Sequence, residues 1–172
     1  MVIASKPTRV SIATGSIVAL AGLGIRAWAS GHLKKNEELA TSGPYAFTRN
    51  PLYLGTLLLG LGISLCTGSW WLACIFVVFY LIIYIPVMVA EARTLRNLFP
   101  GEYQIYSDRV PLLVPSLRTR DAGIRQPMQA RDGHLAGRFF DLSLYVRHRE
   151  YRALMGFLAV VVILILKARL LK

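Results

Sequence analysis

The chain has 172 residues, of which 55% are hydrophobic and only 17% are charged, and its mean hydropathy is +0.49. Soluble globular domains carry about 25% charged residues, so this composition argues against a soluble domain. Basic loops that set membrane topology and attract anionic lipid head groups are the simplest explanation of the formal net charge of +11. No basic module interleaved with aromatic residues indicates nucleic-acid binding, so no nucleic-acid partner is expected.

The first apolar segment covers residues 10–29 and contains a single charge, Arg26, near its end. A helix that crosses a bilayer needs about 20 apolar residues, so this segment is long enough for one crossing. Two basic residues before it and the triplet Ala27-Trp28-Ala29 resemble a cleavable signal peptide. Because the run is long for a signal-peptide core and further apolar segments follow, we predict a retained membrane helix.

Residues 51–90 contain no Asp, Glu, Lys, Arg or His, and they predict two membrane helices, at residues 51–67 and 70–90. Proline suits the first turn of a helix, where its missing N–H costs no hydrogen bond, so we expect a helix to begin at Pro51 with Asn50 as its N-cap. The pair Gly60 and Gly62 predicts close helix packing through small residues.

After residue 90 the chain becomes polar, but helical spacing of apolar residues predicts that the third helix continues beyond the membrane until Pro100-Gly101. Residues 110–115 are expected to form a short extended or interfacial stretch, and residues 116–134 a polar surface loop. An apolar cluster at residues 139–145 is expected to rest at the lipid interface.

The last apolar segment is predicted to cross the membrane at residues 153–171, with Lys167 and Arg169 snorkelling at its end. The alternative is a helix that lies in the interface. The sequence thus predicts an all-α integral membrane bundle, a single domain over residues 1–172, with about four transmembrane helices and further cytoplasmic or interfacial helices.

Basic residues are distributed unevenly, because fifteen of the 20 fall within residues 26–49 or 93–152. The positive-inside rule therefore places the segments 30–50 and 91–152 in the cytoplasm.

Candidate chemistry is concentrated at the cytoplasmic ends of the helices. A carboxylate at the end of a long apolar run is costly unless it is paired or wetted, so Glu91 is a functional candidate; the alternative is that it simply marks the water boundary. An aromatic belt would explain any single tyrosine near this boundary, but four of them around one Arg and one Glu favour a pocket. These tyrosines are Tyr45, Tyr53, Tyr103 and Tyr106.

The three histidines lie far apart, and no spacing of Cys and His is typical of a metal site, so no metal is predicted. The sequence also shows no nucleophile elbow and no phosphate-binding glycine motif after a strand.

Two stretches resemble a known family of membrane enzymes. "GPYAFTRNPLYLG" at residues 43–55 resembles the first signature of the isoprenylcysteine carboxyl methyltransferases and their phospholipid methyltransferase relatives, and "EARTLRNLFPGEYQIYSDRVPLLVP" at residues 91–115 is similar to the second. The flanking "GHLKKNEEL" and "REYRALMG" resemble a bacterial branch. The resemblance implies an S-adenosylmethionine-dependent enzyme of the bacterial inner membrane, with its active site facing the cytoplasm.

In that family the cofactor pocket lies at the cytoplasmic helix ends under a C-terminal segment, and a lipophilic acceptor enters from the bilayer. The acceptor implied here is a lipid amine, a small thiol or a carboxylate. The resemblance assigns catalytic roles to Arg49, which would hold a carboxylate, and to Glu91, which would contact the cofactor or orient the acceptor. It implies cofactor contacts from Tyr45, Asn50, Pro51, Tyr53, Gly55, Glu91, Leu95, Phe99, Tyr103 and Tyr106.

Two positions depart from the family pattern. Asn50 stands where the family usually has histidine, so we do not propose a general base there, and Ala92 replaces the second acidic residue. Two alternatives therefore stay open, namely a non-catalytic membrane scaffold or accessory protein and an NADPH-dependent membrane reductase of related fold. The charged pair Arg149 and Glu150 is a weaker site candidate, since a membrane-edge anchor explains it equally well.

Overall fold

The computed structural model describes residues 7–33, 38–116, 144–145 and 151–170, and within these ranges it contains helices and no strand. The predicted all-α membrane bundle is confirmed. The elements are α1 (Arg9–Ser30), a 3₁₀ helix (Gly43–Ala46), α2 (Pro51–Cys66), α3 (Trp70–Leu98), α4 (Glu102–Arg109) and α5 (Tyr151–Leu170).

Helices α1, α3 and α5 are each long and apolar enough to cross a bilayer, which identifies an integral membrane protein. The last segment, which was predicted to cross the membrane at residues 153–171, has the length and composition for a crossing at Tyr151–Arg169. Helix α2 is a shorter apolar helix of 16 residues, which begins at Pro51 and ends before the turn at Thr67 and Gly68.

Helices α1 and α2 pack closely because glycines line both sides of their contact. A Cβ atom added to Gly15 would lie 2.5 Å from the carbonyl oxygen of Gly62, and one added to Gly22 would lie 2.6 Å from that of Gly55. Gly60 faces the other way, where an added Cβ would lie 2.1 Å from the ring of Phe76 on α3. The predicted packing role of Gly60 and Gly62 is therefore confirmed.

Helix α3 runs past the predicted membrane boundary and ends at Leu98, close to the predicted break at Pro100-Gly101. Gly101 has φ = +84°, which glycine adopts without strain, and it turns the chain into α4. Tyr103, Tyr106 and Val110 then form a small apolar core. The partly buried residues that pack against this core are Leu39, Ala92, Leu95 and Phe99.

Residues 111–116 lie alongside residues 47–50 rather than leaving the bundle. The backbone N–H of Arg49 donates to the carbonyl of Pro111 at 2.9 Å, and that of Ser116 donates to the carbonyl of Phe47 at 3.0 Å. The buried Thr48 hydroxyl donates to the carbonyl of Leu113 at 3.0 Å. The segment after α4 is thereby attached to the start of α2.

Three predictions fall on residues outside the described ranges: the polar loop at residues 117–134, the part of the apolar cluster at residues 139–143, and the charged pair Arg149 and Glu150.

Candidate functional site

A cavity of about 760 Å³ lies between the first turns of α2, the C-terminal half of α3, α4 and the loop at residues 38–49. Its volume is within the range of about 300–1,000 Å³ that ligand pockets occupy. All but two of the predicted site residues line it. They are Tyr45, Arg49, Asn50, Pro51, Tyr53, Glu91, Leu95, Tyr103 and Tyr106.

The two exceptions, Gly55 and Phe99, lie behind the cavity wall. A Cβ atom on Gly55 would lie 2.6 Å from Cγ of Arg26, so this glycine leaves room for the arginine side chain to pass between α1 and α2. Phe99 packs against the core of α4 that holds Tyr103 and Tyr106. Both residues thus shape the wall without forming its surface.

Glu91 and Tyr53, which both line the cavity, connect helices α2 and α3. The phenol oxygen of Tyr53 on α2 donates to Oε2 of Glu91 on α3 at 3.0 Å. Glu91 is exposed, so its carboxylate is both paired and accessible to water. This arrangement meets the condition under which a carboxylate is tolerated at the end of an apolar helix.

Two further tyrosines of α3 hold Tyr53 in place. The hydroxyl of Tyr80 donates to the backbone carbonyl of Tyr53 at 2.6 Å, and the ring of Tyr80 stacks on that of Tyr84 with centroids 4.3 Å apart. Tyr84 lines the cavity and lies 5.5 Å from the Tyr53 ring. Sequence reasoning missed Tyr84, although its spacing places it one turn from Tyr80 and two turns before Glu91 on one face of α3.

Arg49 brings a guanidinium to the cavity directly before α2. Its Nη1 donates to the hydroxyl of Tyr103 at 3.4 Å, a long hydrogen bond. Its Nε is buried and has no hydrogen-bond partner within the part of the chain that the structure describes. A buried N–H donor without a partner costs free energy, which an anionic ligand oxygen would recover.

Tyr106 on α4 is a further residue of the cavity wall. Its buried hydroxyl donates to the backbone carbonyl of Tyr45 at 2.8 Å and so connects α4 to the 3₁₀ helix. Burial raises the pKa of the Tyr106 phenol, and the nearby Tyr45 phenol raises it further. The phenol therefore stays protonated, as its role as a donor requires.

Asn50 occupies the N-cap position before α2, as predicted, but its side chain bonds elsewhere. Its side chain does not bond the first N–H groups of α2; instead its Nδ2 donates to the carbonyl of Leu112 at 2.9 Å. Asn50 bonds the Leu112 carbonyl because the segment after α4 brings that carbonyl within hydrogen-bonding distance of the side chain. Pro51 is the first residue of α2, as predicted.

Arg26 is the second cationic side chain in the cavity lining, and the sequence reasoning did not place it there. Its Nη1 donates to Oγ1 of Thr56, and that hydroxyl donates to the carbonyl of Leu52 at 2.9 Å. The available signal was its position as the one charge within residues 10–29, since ionisable residues inside membrane helices are functional candidates.

Among the residues that the structure describes, no three His, Cys, Asp or Glu side chains come together to hold a metal ion.

The chain is similar to two bacterial proteins over part of its length. It is 36% identical over 102 residues to the cobalt-zinc-cadmium resistance protein CzcN of Cupriavidus metallidurans, and the aligned region covers 58% of this chain and 46% of the relative. It is 34% identical over 84 residues to the nickel-cobalt-cadmium resistance protein NccN of Alcaligenes xylosoxydans xylosoxydans, and here the aligned region covers 49% of this chain and 39% of the relative. The chain thus spans less than half the length of either. No solved structure matches it.

The family model described as phospholipid methyltransferase matches residues 10–102, which include all of α2 and α3, α1 except its first residue, and most of the cavity lining. This match confirms the resemblance that the two sequence signatures indicated. The chain belongs to the phospholipid methyltransferase family of membrane methyltransferases.

Proposed function

We propose that this protein transfers a methyl group from S-adenosylmethionine to a lipophilic or small acceptor at the cytoplasmic face of a bacterial inner membrane. The observation that carries this proposal is the cavity itself, because residues of both sequence signatures line one space at the polar ends of α2 and α3. A polar methyl donor reaches such a site from water, and an acceptor with an apolar tail reaches it from the bilayer.

The residues in the cavity wall fit the chemical groups of the cofactor. Arg49 would hold its carboxylate, since the buried Nε of this side chain has no partner in the described part of the chain. Glu91 would accept hydrogen bonds from the amino or ribose groups. The rings of Tyr53 and Tyr84 suit a cationic sulfonium, because aromatic faces attract positive charge.

The cofactor supplies an electrophilic methyl group, and the protein supplies orientation. In-line attack requires the acceptor and the methyl carbon to be held together, and such positioning accounts for several kcal/mol of a barrier. The backbone carbonyl of Tyr53 accepts a hydrogen bond from Tyr80, and its phenol donates one to Glu91, so both residues of this corner are positioned by contacts within the chain. A pre-ordered carboxylate also stabilises positive charge without reorganisation.

Asn50 has a positioning role in this proposal. Its amide is engaged with the Leu112 carbonyl and does not titrate, so it neither donates nor accepts a proton in the reaction. Glu91 is the exposed carboxylate, hydrogen-bonded to Tyr53, that would contact the cofactor or orient the acceptor.

Both relatives are named for resistance to metals. We propose that the methylation catalysed by this protein contributes to tolerance of divalent metals such as cobalt and cadmium. A strain without the gene is then expected to be more sensitive to these metals. Complementation with the parent gene should restore growth, whereas Glu91→Gln should not; equal rescue by both would separate metal tolerance from methyl transfer.

The test of the proposed activity is methyl transfer from labelled S-adenosylmethionine to fractionated membrane lipids and small thiols. The purified protein is expected to label one acceptor class, and Glu91→Gln should lose most of the label while Glu102→Gln, an exposed carboxylate on α4, retains it. Displacement of bound S-adenosylhomocysteine by NADPH would favour the reductase alternative. Absence of both labelling and cofactor binding would favour the accessory-protein alternative.

A further inference from the structure

Helix α3 contains a proline in its interior, Pro86, within the apolar part of the helix. Proline has no backbone N–H, so the carbonyl of Ile82 lacks its usual donor one turn later, and the proline ring crowds this carbonyl. The side chain of Pro86 is exposed, so it adds nothing to the buried core. Its effect is therefore on the backbone, because a missing hydrogen bond makes a helix easier to bend at that point.

The part of α3 before this proline, residues 70–85, packs on α2. The ring of Phe76 lies against Gly60, which has no side chain to obstruct it. One turn further along α3, the hydroxyl of Tyr80 donates to the backbone carbonyl of Tyr53 at 2.6 Å. These contacts attach the first part of α3 to α2.

The part of α3 after the proline, residues 87–98, packs against α4. Its partly buried residues Ala92 and Leu95 contact the small core of α4. The hydroxyl of Tyr106 on α4 donates in turn to the carbonyl of Tyr45 at 2.8 Å, so the cytoplasmic end of this part is held in place. Most of the α3 residues that line the cavity lie between this held end and the proline.

Tyr53 on α2 is bonded to both parts of α3. Its backbone carbonyl accepts from Tyr80, six residues before the proline, and its phenol donates to Oε2 of Glu91, five residues after the proline. Glu91 is exposed, so water competes with the phenol for the carboxylate. When this second bond is broken, the part of α3 after the proline can bow away from α2.

We infer that Pro86 is a hinge of α3, and that the hydrogen bond from Tyr53 to Glu91 is the latch that keeps the cavity closed between α2 and α3. Loss of the latch shifts the population toward an open form, in which the cavity is wider between these two helices. The hinge and the latch do not rest on the proposed function. Under that function, a ligand group that takes the Glu91 carboxylate from Tyr53 would open the cavity to the acceptor.

The experiment measures the distance between two spin labels by pulsed electron paramagnetic resonance, on the purified full chain in a neutral detergent. The labels are attached at Ala21→Cys on α1 and Arg93→Cys on α3, which are exposed positions. The exposed Cys74 is replaced by serine, whereas Cys66 is buried and stays in place because the label does not reach it. Arg93 lies seven residues after the hinge, about 10 Å along the helix, so a change of about 20° in the bend moves it by about 4 Å.

The parent is expected to give mainly one distance. Tyr53→Phe, which removes the latch, should lengthen it by about 4 Å or add a second distance longer by that amount, since α1 packs on α2 away from α3. Pro86→Ala restores an N–H for the carbonyl of Ile82, so adding it to Tyr53→Phe should suppress the longer distance. Tyr151→Phe on α5 and Ile85→Ala beside the hinge change exposed positions and should leave the parent distance unchanged.

The inference is overturned if Tyr53→Phe keeps the parent distance, because the bend is then fixed. It is also overturned if the longer distance persists undiminished in the double variant, or if Tyr151→Phe produces it equally. Pro86→Leu restores the same N–H and replaces Pro86→Ala in the comparison if the alanine variant does not fold. No ligand is present in these measurements, so failure of the hinge and failure of S-adenosylhomocysteine binding, which tests the proposed function, are separate results.

Discussion

The side-chain amide of Asn50 donates a hydrogen bond to the backbone carbonyl of Leu112 over 2.9 Å, and this bond attaches the segment after α4 to the start of α2. Thr48 strengthens the attachment through its hydroxyl, which donates to the carbonyl of Leu113 at 3.0 Å. Because this segment directly follows the helix that carries Tyr103 and Tyr106, the two bonds also fix one wall of the cavity. The position at which the family usually has histidine thus contributes geometry in this chain.

Replacement of Asn50 by Asp is expected to destabilise the protein by about 1–3 kcal/mol, because a carboxylate has no N–H to donate and leaves the Leu112 carbonyl unbonded. Denaturant unfolding in detergent measures the loss, and Asn97→Asp on the exposed face of α3 is the matched control. Asn50→His retains a donor and should lose less. A larger loss in Asn97→Asp, or none in Asn50→Asp, would show that the bond to Leu112 is unimportant.

The bond between Tyr53 and Glu91 should appear as an energetic coupling. In a double-mutant cycle with Tyr53→Phe and Glu91→Gln, we expect a coupling of about 1 kcal/mol in unfolding free energy, since the pair is hydrogen-bonded but partly open to water. A cycle of Tyr53→Phe with Glu102→Gln provides the comparison, for which no coupling is expected. Additive effects in the first cycle would mean that the two side chains do not act together.

The contact between α1 and α2 predicts opposite effects for two glycines of similar helical setting. A Cβ on Gly62 would lie 2.4 Å from the backbone nitrogen of Ala19, so Gly62→Ala should separate the helices and cost about 1–3 kcal/mol. No atom lies within 4 Å of a Cβ on Gly24, so Gly24→Ala should be neutral or stabilising by up to about 1 kcal/mol. Thermal unfolding of both variants checks this prediction, which equal shifts would refute.

Tyr106 predicts a loss of stability at alkaline pH. Burial raises the pKa of its phenol in the folded state above the value of about 10 in the unfolded chain. Its contribution is therefore complete below about pH 10 and decreases as the pH rises above that value, because the unfolded state releases the proton first. Tyr106→Phe should flatten this part of the pH-stability curve. An unchanged slope in the variant would exclude Tyr106 as its cause.

Local sequence features predicted the helices because each feature acts within a few residues. Uncharged runs marked the membrane segments, Pro51 marked the start of α2, and Pro100-Gly101 marked the break after α3. Side-chain roles that depend on distant partners were not predictable in this way. Asn50 was correctly predicted at the N-cap of α2, but the partner of its side chain, a carbonyl 62 residues away, was not predicted.

In the candidate site, too, some residues were predictable from the sequence and others depend on distant partners. The two sequence signatures indicated most of the cavity lining, because family motifs record which residues meet in the fold. The inward direction of Arg26 depends on the gap at Gly55 and on the hydroxyl of Thr56, which belong to another helix. Neither relationship has a signal in the sequence beyond the unusual charge itself.

The central claim is tested most directly by calorimetric titration of S-adenosylhomocysteine into the purified protein in a neutral detergent. We predict saturable binding at one site, weakened about tenfold or more in Arg49→Ala, because this side chain would hold the ligand carboxylate. Arg96→Ala, an exposed arginine of α3, should bind as the parent does. The absence of saturable binding in the parent protein, or equal affinities in all three proteins, would contradict the assignment of this cavity to the methyl donor.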